Sequence, residues 1–187
     1  MPAITTNDLK NGITLELDGV LFQVVEFQHV KPGKGGAFVR SKIRNLRTGA
    51  VIDRTFNAGI RVEQAILERK DMQFLYRDGD EYVFMDQESY DQEHVAPAAL
   101  GDAADYMIEN SVAIIAYYKG EIVTVEIPAS VELAVAETEP GIQGDRVSGA
   151  RKPATLETGK VVSVPLFINI GDKVKVDTRS GDYITRV

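Results

Sequence analysis

The chain has 187 residues, 44% of them hydrophobic, no cysteine, and a formal net charge of −7. The lack of cysteine excludes disulfides and thiolate metal sites, and no apolar run reaches the eighteen or so residues of a membrane helix. The start, Met1-Pro2-Ala3-Ile4-Thr5-Thr6-Asn7-Asp8, lacks the basic-then-apolar pattern of a secretory signal, so a cytoplasmic location without a membrane partner is expected.

The charge is unevenly spread. Residues 1–64 carry nine Lys/Arg and six Asp/Glu, residues 65–127 carry four and fourteen, and residues 128–187 carry eight of each. The acidity belongs to the middle third, and such asymmetry points to an oriented interaction: one end facing RNA, the middle avoiding it or facing a basic protein.

In the first third, residues 13–17, 21–27, 37–46 and 51–56 are short alternating or β-branched runs, punctuated by Asp18-Gly19 and Thr48-Gly49. Short strands at this spacing predict a small barrel or sandwich. A short helix over 60–67, with Val62, Ala65 and Ile66 on one face, is predicted to close the unit.

Between the second and third runs lies Lys31-Pro32-Gly33-Lys34-Gly35-Gly36. Proline fixes its own φ and glycines admit angles that a Cβ forbids, so the stretch reads as a stiff hairpin turn with Lys34 at an exposed tip. In the following strand Arg40, Lys42 and Arg44 share one face and Val39 and Ile43 the other. A row of cations is often only a solvated face. Here the charges share sign and face and adjoin a lysine tip, which makes phosphate the natural partner.

The middle third, residues 65–127, opens with runs at 72–76 and 81–85 around Asp78-Gly79, a hairpin signal. Its aromatics Phe74, Tyr76, Tyr82 and Phe84 sit among acids and read as core. A calcium loop counted from Asp78 has Val83 where glycine is required. Residues 96–109 form the best helix, with Leu100, Ala103, Ala104, Met107 and Ile108 as an apolar stripe, and 112–118 with 121–127 make a hairpin around Lys119-Gly120. In the last third, residues 128–187, strands are predicted at 131–135, 160–164, 166–170, 173–176 and 183–187. Residues 138–158, holding Arg146, Arg151 and Lys152, are expected as a long irregular segment, and a loop of this length inside a compact domain is usually functional or disordered.

Catalytic groupings are missing. His29 and His94 are the only histidines, and no Ser-His-Asp set stands out. The Lys34 turn lacks the Ser/Thr and helix that follow the lysine of a phosphate-binding loop. Neither an enzyme nor a bound metal or cofactor is expected.

Val30-Lys31-Pro32-Gly33-Lys34-Gly35 with Ala37-Phe38-Val39-Arg40 and Lys42 resembles the tip hairpin of the bacterial translation elongation factor P family. Thr138-Glu139-Pro140-Gly141, Gly144-Asp145-Arg146, Lys152-Pro153-Ala154-Thr155-Leu156, Val164-Pro165-Leu166-Phe167-Ile168, Ile170-Gly171-Asp172 and Val176-Asp177-Thr178-Arg179-Ser180-Gly181 resemble its third domain. The resemblance runs through the whole chain in order.

It implies a mainly β protein of three small β-barrel domains in an L-shaped, tRNA-like arrangement. A KOW-like, SH3-like domain at 1–64 carries the Lys34 tip, followed by an acidic OB-fold domain at 65–127 and another at 128–187. It further implies a monomer that binds ribosomal RNA and proteins between the peptidyl and exit sites. There it positions peptidyl-tRNA, prolyl-tRNA above all, and stimulates peptide-bond formation at consecutive prolines. In this picture Lys34 reaches toward the acceptor end and is a target for a lysine-modifying enzyme, with Lys31, Pro32, Gly33, Gly35 and Gly36 shaping the loop. Arg40, Lys42 and Arg44 meet RNA, and Gly144, Asp145 and Arg146 match a loop on the codon side. A paralogous elongation-factor-P-like protein and a general single-stranded RNA binder are the alternatives. The Lys34 tip favours the factor over its paralogue. The second alternative predicts aromatic platforms beside basic residues, which only Phe38 with Arg40 offers.

Overall fold

A computed structural model describes residues 2–141 and 149–187. Its elements in chain order are β1 (Ala3–Thr5), β2 (Thr14–Leu17), β3 (Val20–Val30), β4 (Phe38–Asn45), β5 (Val51–Asn57), β6 (Arg61–Gln64), β7 (Glu68–Asp78), β8 (Glu81–Asp86), β9 (Gln92–Val95), the one-turn helix α1 (Pro97–Leu100), β10 (Val112–Tyr118), β11 (Glu121–Glu126), β12 (Ser130–Thr138), β13 (Arg151–Leu156), β14 (Val161–Pro165), β15 (Lys173–Asp177) and β16 (Tyr183–Arg186). The strands form three antiparallel-paired sheets ordered β1-β6-β2-β3-β4-β5, β11-β10-β7-β8-β9 and β14-β13-β12-β15-β16. The protein is mainly β, as its alternating runs predict. By contact density the chain divides into two compact units, Met1–Arg69 with Ala116–Thr124, and Lys70–Ile115 with Val125–Val187.

The first sheet closes over Leu9, Leu15, Val24, Val39, Ile43, Phe56 and Val62. Every second residue of β4 contributes to that core, so Val39, Ser41 and Ile43 are buried while Arg40, Lys42 and Arg44 are exposed. Burying aliphatic side chains of this size stabilises by about 1.5–3 kcal/mol each, which fixes the register of the basic row. A bulge between Val24 and Glu26 interrupts the β3–β4 ladder and leaves Val25 at the surface. Such an extra residue sharpens the local twist at the stem.

Residues 61–64 are a strand, not the helix expected over 60–67. Arg61, Val62 and Glu63 pair with Thr5, Ile4 and Ala3. Val62 is buried between exposed Arg61 and Glu63, a period of two. The partner strand lies almost sixty residues away in sequence, and pairing with it overrides the local helical spacing.

In the second sheet Phe74 packs against Tyr82 and Phe84 with ring centroids 5.5 and 5.6 Å apart. Tyr76, expected in this core, is 45% exposed. A register shift between Phe74 and Tyr76 carries it to the surface. The helix expected over 96–109 shortens to α1 and a 3-10 helix at Gly101–Tyr106. Its stripe is buried as predicted at Leu100, Ala103 and Met107, and Tyr106 joins the core of the third sheet.

That third core gathers Leu133, Val135, Leu156, Val164, Ile168 and Val174 around Tyr106. Residues 166–170 are turns where a strand was expected: the Ile168 amide donates to the Pro165 carbonyl at 3.2 Å, and Ile168 alone of Phe167, Ile168 and Ile170 turns inward. Part of the segment expected to be irregular is β13, where Lys152, Ala154 and Leu156 alternate as buried residues. Pro153 disguised that strand. It is tolerated because β12 pairs with β13 only from Ala154 onward.

Candidate functional site

The stem of the tip hairpin is hydrogen-bonded on both flanks of its central strand. β3 pairs with β4 up to Val30 opposite Phe38, and β5 pairs with β4 up to Asn57 opposite Phe38. The Ala58 amide donates to the Ala37 carbonyl at 2.9 Å, extending that support by one residue. Val39, fully buried, pins the stem to the core two residues beyond the end of the loop. From Val24 to Val30 an extended chain spans roughly 20 Å at 3.3 Å per residue.

The loop itself, residues 31–37, is exposed throughout, so Lys31, Pro32, Gly33, Lys34, Gly35 and Gly36 stand in solvent. Only Gly35 has the left-handed backbone that requires glycine, with φ of 110°. Gly33 and Gly36 lie outside that region; what they contribute is bareness, with no atom within 4 Å of a built Cβ. Lys34 therefore stands at the apex without bulky neighbours.

The basic row is partly neutralised. Arg40, Lys42 and Arg44 lie on one exposed face, yet Lys42 is flanked by Glu26 on β3 and Asp53 on β5. Its Nζ lies 3.3 Å from the Glu26 carboxylate. Both acids bound the acid-free stretch of sequence, and the sheet folds them back beside its centre. Arg40 keeps its guanidinium 6.0 Å from the Phe38 ring centroid. Gly144, Asp145 and Arg146 lie outside the described residues. Ahead of them, Gly141 lies against the Leu166 carbonyl, which a Cβ would approach to 2.5 Å. The Lys152 ammonium donates to the Glu139 carbonyl at 2.5 Å.

Two features escaped sequence reasoning. Asn7, His29, Ala37, Phe38 and Ala58 line one cavity at the foot of the loop, and residues so far apart in sequence leave no local signal. Within the first unit, the Tyr118 hydroxyl donates to Glu16 Oε2 at 2.5 Å, with Lys119 Nζ 3.4 Å from the same oxygen. The hydroxyl, seconded by the ammonium, holds the Glu16 carboxyl below the usual carboxylate range. Among the described residues no group of His, Asp and Glu could hold a metal ion, and no helix is long and apolar enough to cross a membrane.

Three family models cover the chain in succession: the elongation factor P KOW-like domain at residues 5–62, its OB domain at 67–125 and its C-terminal domain at 131–186. An elongation factor P of Frankia casuarinae is 61% identical over 183 residues, covering 98% of both chains. This chain belongs to the elongation factor P family. The elongation factor P of Pelotomaculum thermopropionicum is 58% identical over 184 residues, 98% of this chain and 100% of that one. Among solved structures, a eukaryotic translation initiation factor 5A from Methanococcus jannaschii matches with a TM-score of 0.54 at 23% identity, covering 66% of this chain and 93% of that one. A protein of the same initiation factor family from Naegleria fowleri gives 0.53 at 16% identity, covering 67% and 98%. These two share the fold. As a member of the elongation factor P family, the chain is a translation elongation factor and not an enzyme.

Proposed function

We propose that the factor binds the ribosome between the peptidyl and exit sites and accelerates peptide-bond formation at consecutive prolines, working in the cytoplasm as a monomer without a cofactor. The supporting observation is the exposed Lys34 at the end of a stem braced on both sides. Proline has a constrained φ and a secondary amine, so a Pro-Pro nascent chain holds its ester badly aligned for transfer. The ribosome supplies the chemistry. A cation set against the acceptor end of peptidyl-tRNA, prolyl-tRNA above all, restrains the ester near its attack geometry and lowers the entropic part of the barrier. Each 1.4 kcal/mol or so of alignment is worth about tenfold in rate. A stiff stem serves this better than a flexible one, because its own ordering cost is met on folding.

Lys34 acts here as a positioning group and needs no covalent step. Its exposure also makes it accessible to a lysine-modifying enzyme that lengthens the side chain. Arg40 and Arg44 meet RNA phosphates, with Lys42 contributing less, and Gly144, Asp145 and Arg146 supply the codon-side contact.

The test is reconstituted translation of a three-proline message and a proline-free control, with and without recombinant factor. Selective acceleration of the proline message supports the reading. If factor purified from its native host, its Lys34 state checked by intact mass, gives no acceleration either, the reading is wrong.

A further inference from the structure

At the foot of the tip loop is an open cavity of about 530 Å³. Its walls are His29 and Lys31 from the β3 side, Ala37 and Phe38 from the β4 side, with Asn7 and Ala58 closing it. The volume falls within the roughly 300–1,000 Å³ of small-ligand sites. Two alanines keep it open. The Ala58 amide and the Ala37 carbonyl already satisfy each other through a 2.9 Å hydrogen bond, and the side chains of Asn7 and His29 add polar capacity.

The chemistry of the walls narrows the occupant. Phe38 offers an aromatic surface with the Arg40 guanidinium over its ring, and the His29 ring stands edge-on to Phe27 at 5.6 Å. Lys31 is a cation among the lining residues, with Lys34 three residues on, and among the described residues no carboxylate lines the cavity. Asp8, beside Asn7, is engaged elsewhere: it accepts from the Thr5 amide at 3.2 Å and the Thr5 hydroxyl at 2.5 Å. An apolar and aromatic floor, an amide with both donor and acceptor, and a lining cation together suit a flat heterocycle joined to a phosphate. Unpaired RNA bases are recognised by this combination of stacking, edge hydrogen bonds and backbone attraction.

We propose that this cavity receives one unpaired nucleobase of the RNA that the tip hairpin meets. The inference rests on the reading that the hairpin faces RNA, and it adds that the hairpin grips a base at its foot while Lys34 works at its end. Stacking on Phe38 and the Asn7 amide hold the base, and Lys31 takes its phosphate.

Two measurements test this. The first is an NMR titration of the full chain with a single-stranded tetranucleotide RNA and with the same RNA lacking its bases. The expected result is shifts concentrated at the amides of His29, Ala37, Phe38 and Ala58 for the base-bearing RNA only, with Lys31 responding to both. Affinity should fall on the order of tenfold in Phe38→Ala and in Ala58→Leu, which fills the cavity. Asn7→Ala, at an exposed position, gives the same direction without touching the core. Equal affinity for both RNAs, or silent cavity amides at millimolar RNA, overturns the proposal. The second is proline-message translation with variants whose thermal midpoint matches wild type. Undiminished acceleration by Asn7→Ala and Ala58→Leu overturns the base site while leaving the functional reading standing; wild type that fails to accelerate sinks that reading instead.

Discussion

Lys34 is free of bulky neighbours, so its removal is a clean experiment. Lys34→Ala should leave the unfolding free energy within about 0.5 kcal/mol of wild type, as surface changes do. It should also abolish the acceleration of the proline message; retained acceleration would detach function from the tip. The basic row behaves unequally. Arg40→Gln and Arg44→Gln should each lower the slope of log affinity against log salt for ribosomes by about one. Lys42→Gln should lower it by less, because Glu26 already holds that ammonium at 3.3 Å. Filter binding across a salt series reads both, and equal slopes for all three would show that the ion pair opens on binding. The shared face of these three residues was legible from alternation alone. Its neutralisation was not, because Glu26 and Asp53 reach Lys42 only through sheet register.

At the scale of elements, strands with a clean period of two were legible, and errors gathered where a distant partner or a proline changed the outcome. Strand β6 takes its period from β1, which is too short to stand out by itself. Strand β13 hides behind Pro153 and a buried lysine. Two predictions belong here. Ile43→Ala removes a fully buried side chain from the strand that bears the row, and should cost about 2–5 kcal/mol in denaturant unfolding. Gly141→Ala should destabilise the C-terminal sheet by about 1–3 kcal/mol, since its Cβ would press on the Leu166 carbonyl. A midpoint no lower than wild type for Gly141→Ala would mean that the backbone there yields without strain.

Across the whole molecule, the sequence carried the β class and the family resemblance, and it concealed the couplings between residues a hundred positions apart. The Glu16–Tyr118–Lys119 group is one such coupling. Its carboxyl is held below the ordinary value near 4.3, first by the Tyr118 hydroxyl and then by Lys119. A depressed folded value means stability that is present above the unfolded value and lost as pH falls through the folded one. Tyr118→Phe should therefore lower the melting temperature at pH 7, and the gap to wild type should close as pH drops below 4. A gap that persists unchanged into strong acid would assign the effect to packing alone.

The carboxylates on either side of Lys42 also bear on how such a factor moves through a cell crowded with polyanions. Every messenger and transfer RNA offers phosphates, and an unbroken cationic stripe would hold to all of them, with tightness growing steeply for each counterion released. On the proposed reading that this face meets RNA, interleaving Glu26 and Asp53 would shorten those unproductive stops, because competing sites outnumber the correct one and dwell time on each sets the length of the search. Discrimination then falls to shape, to whichever particle offers a recess that the braced hairpin can enter.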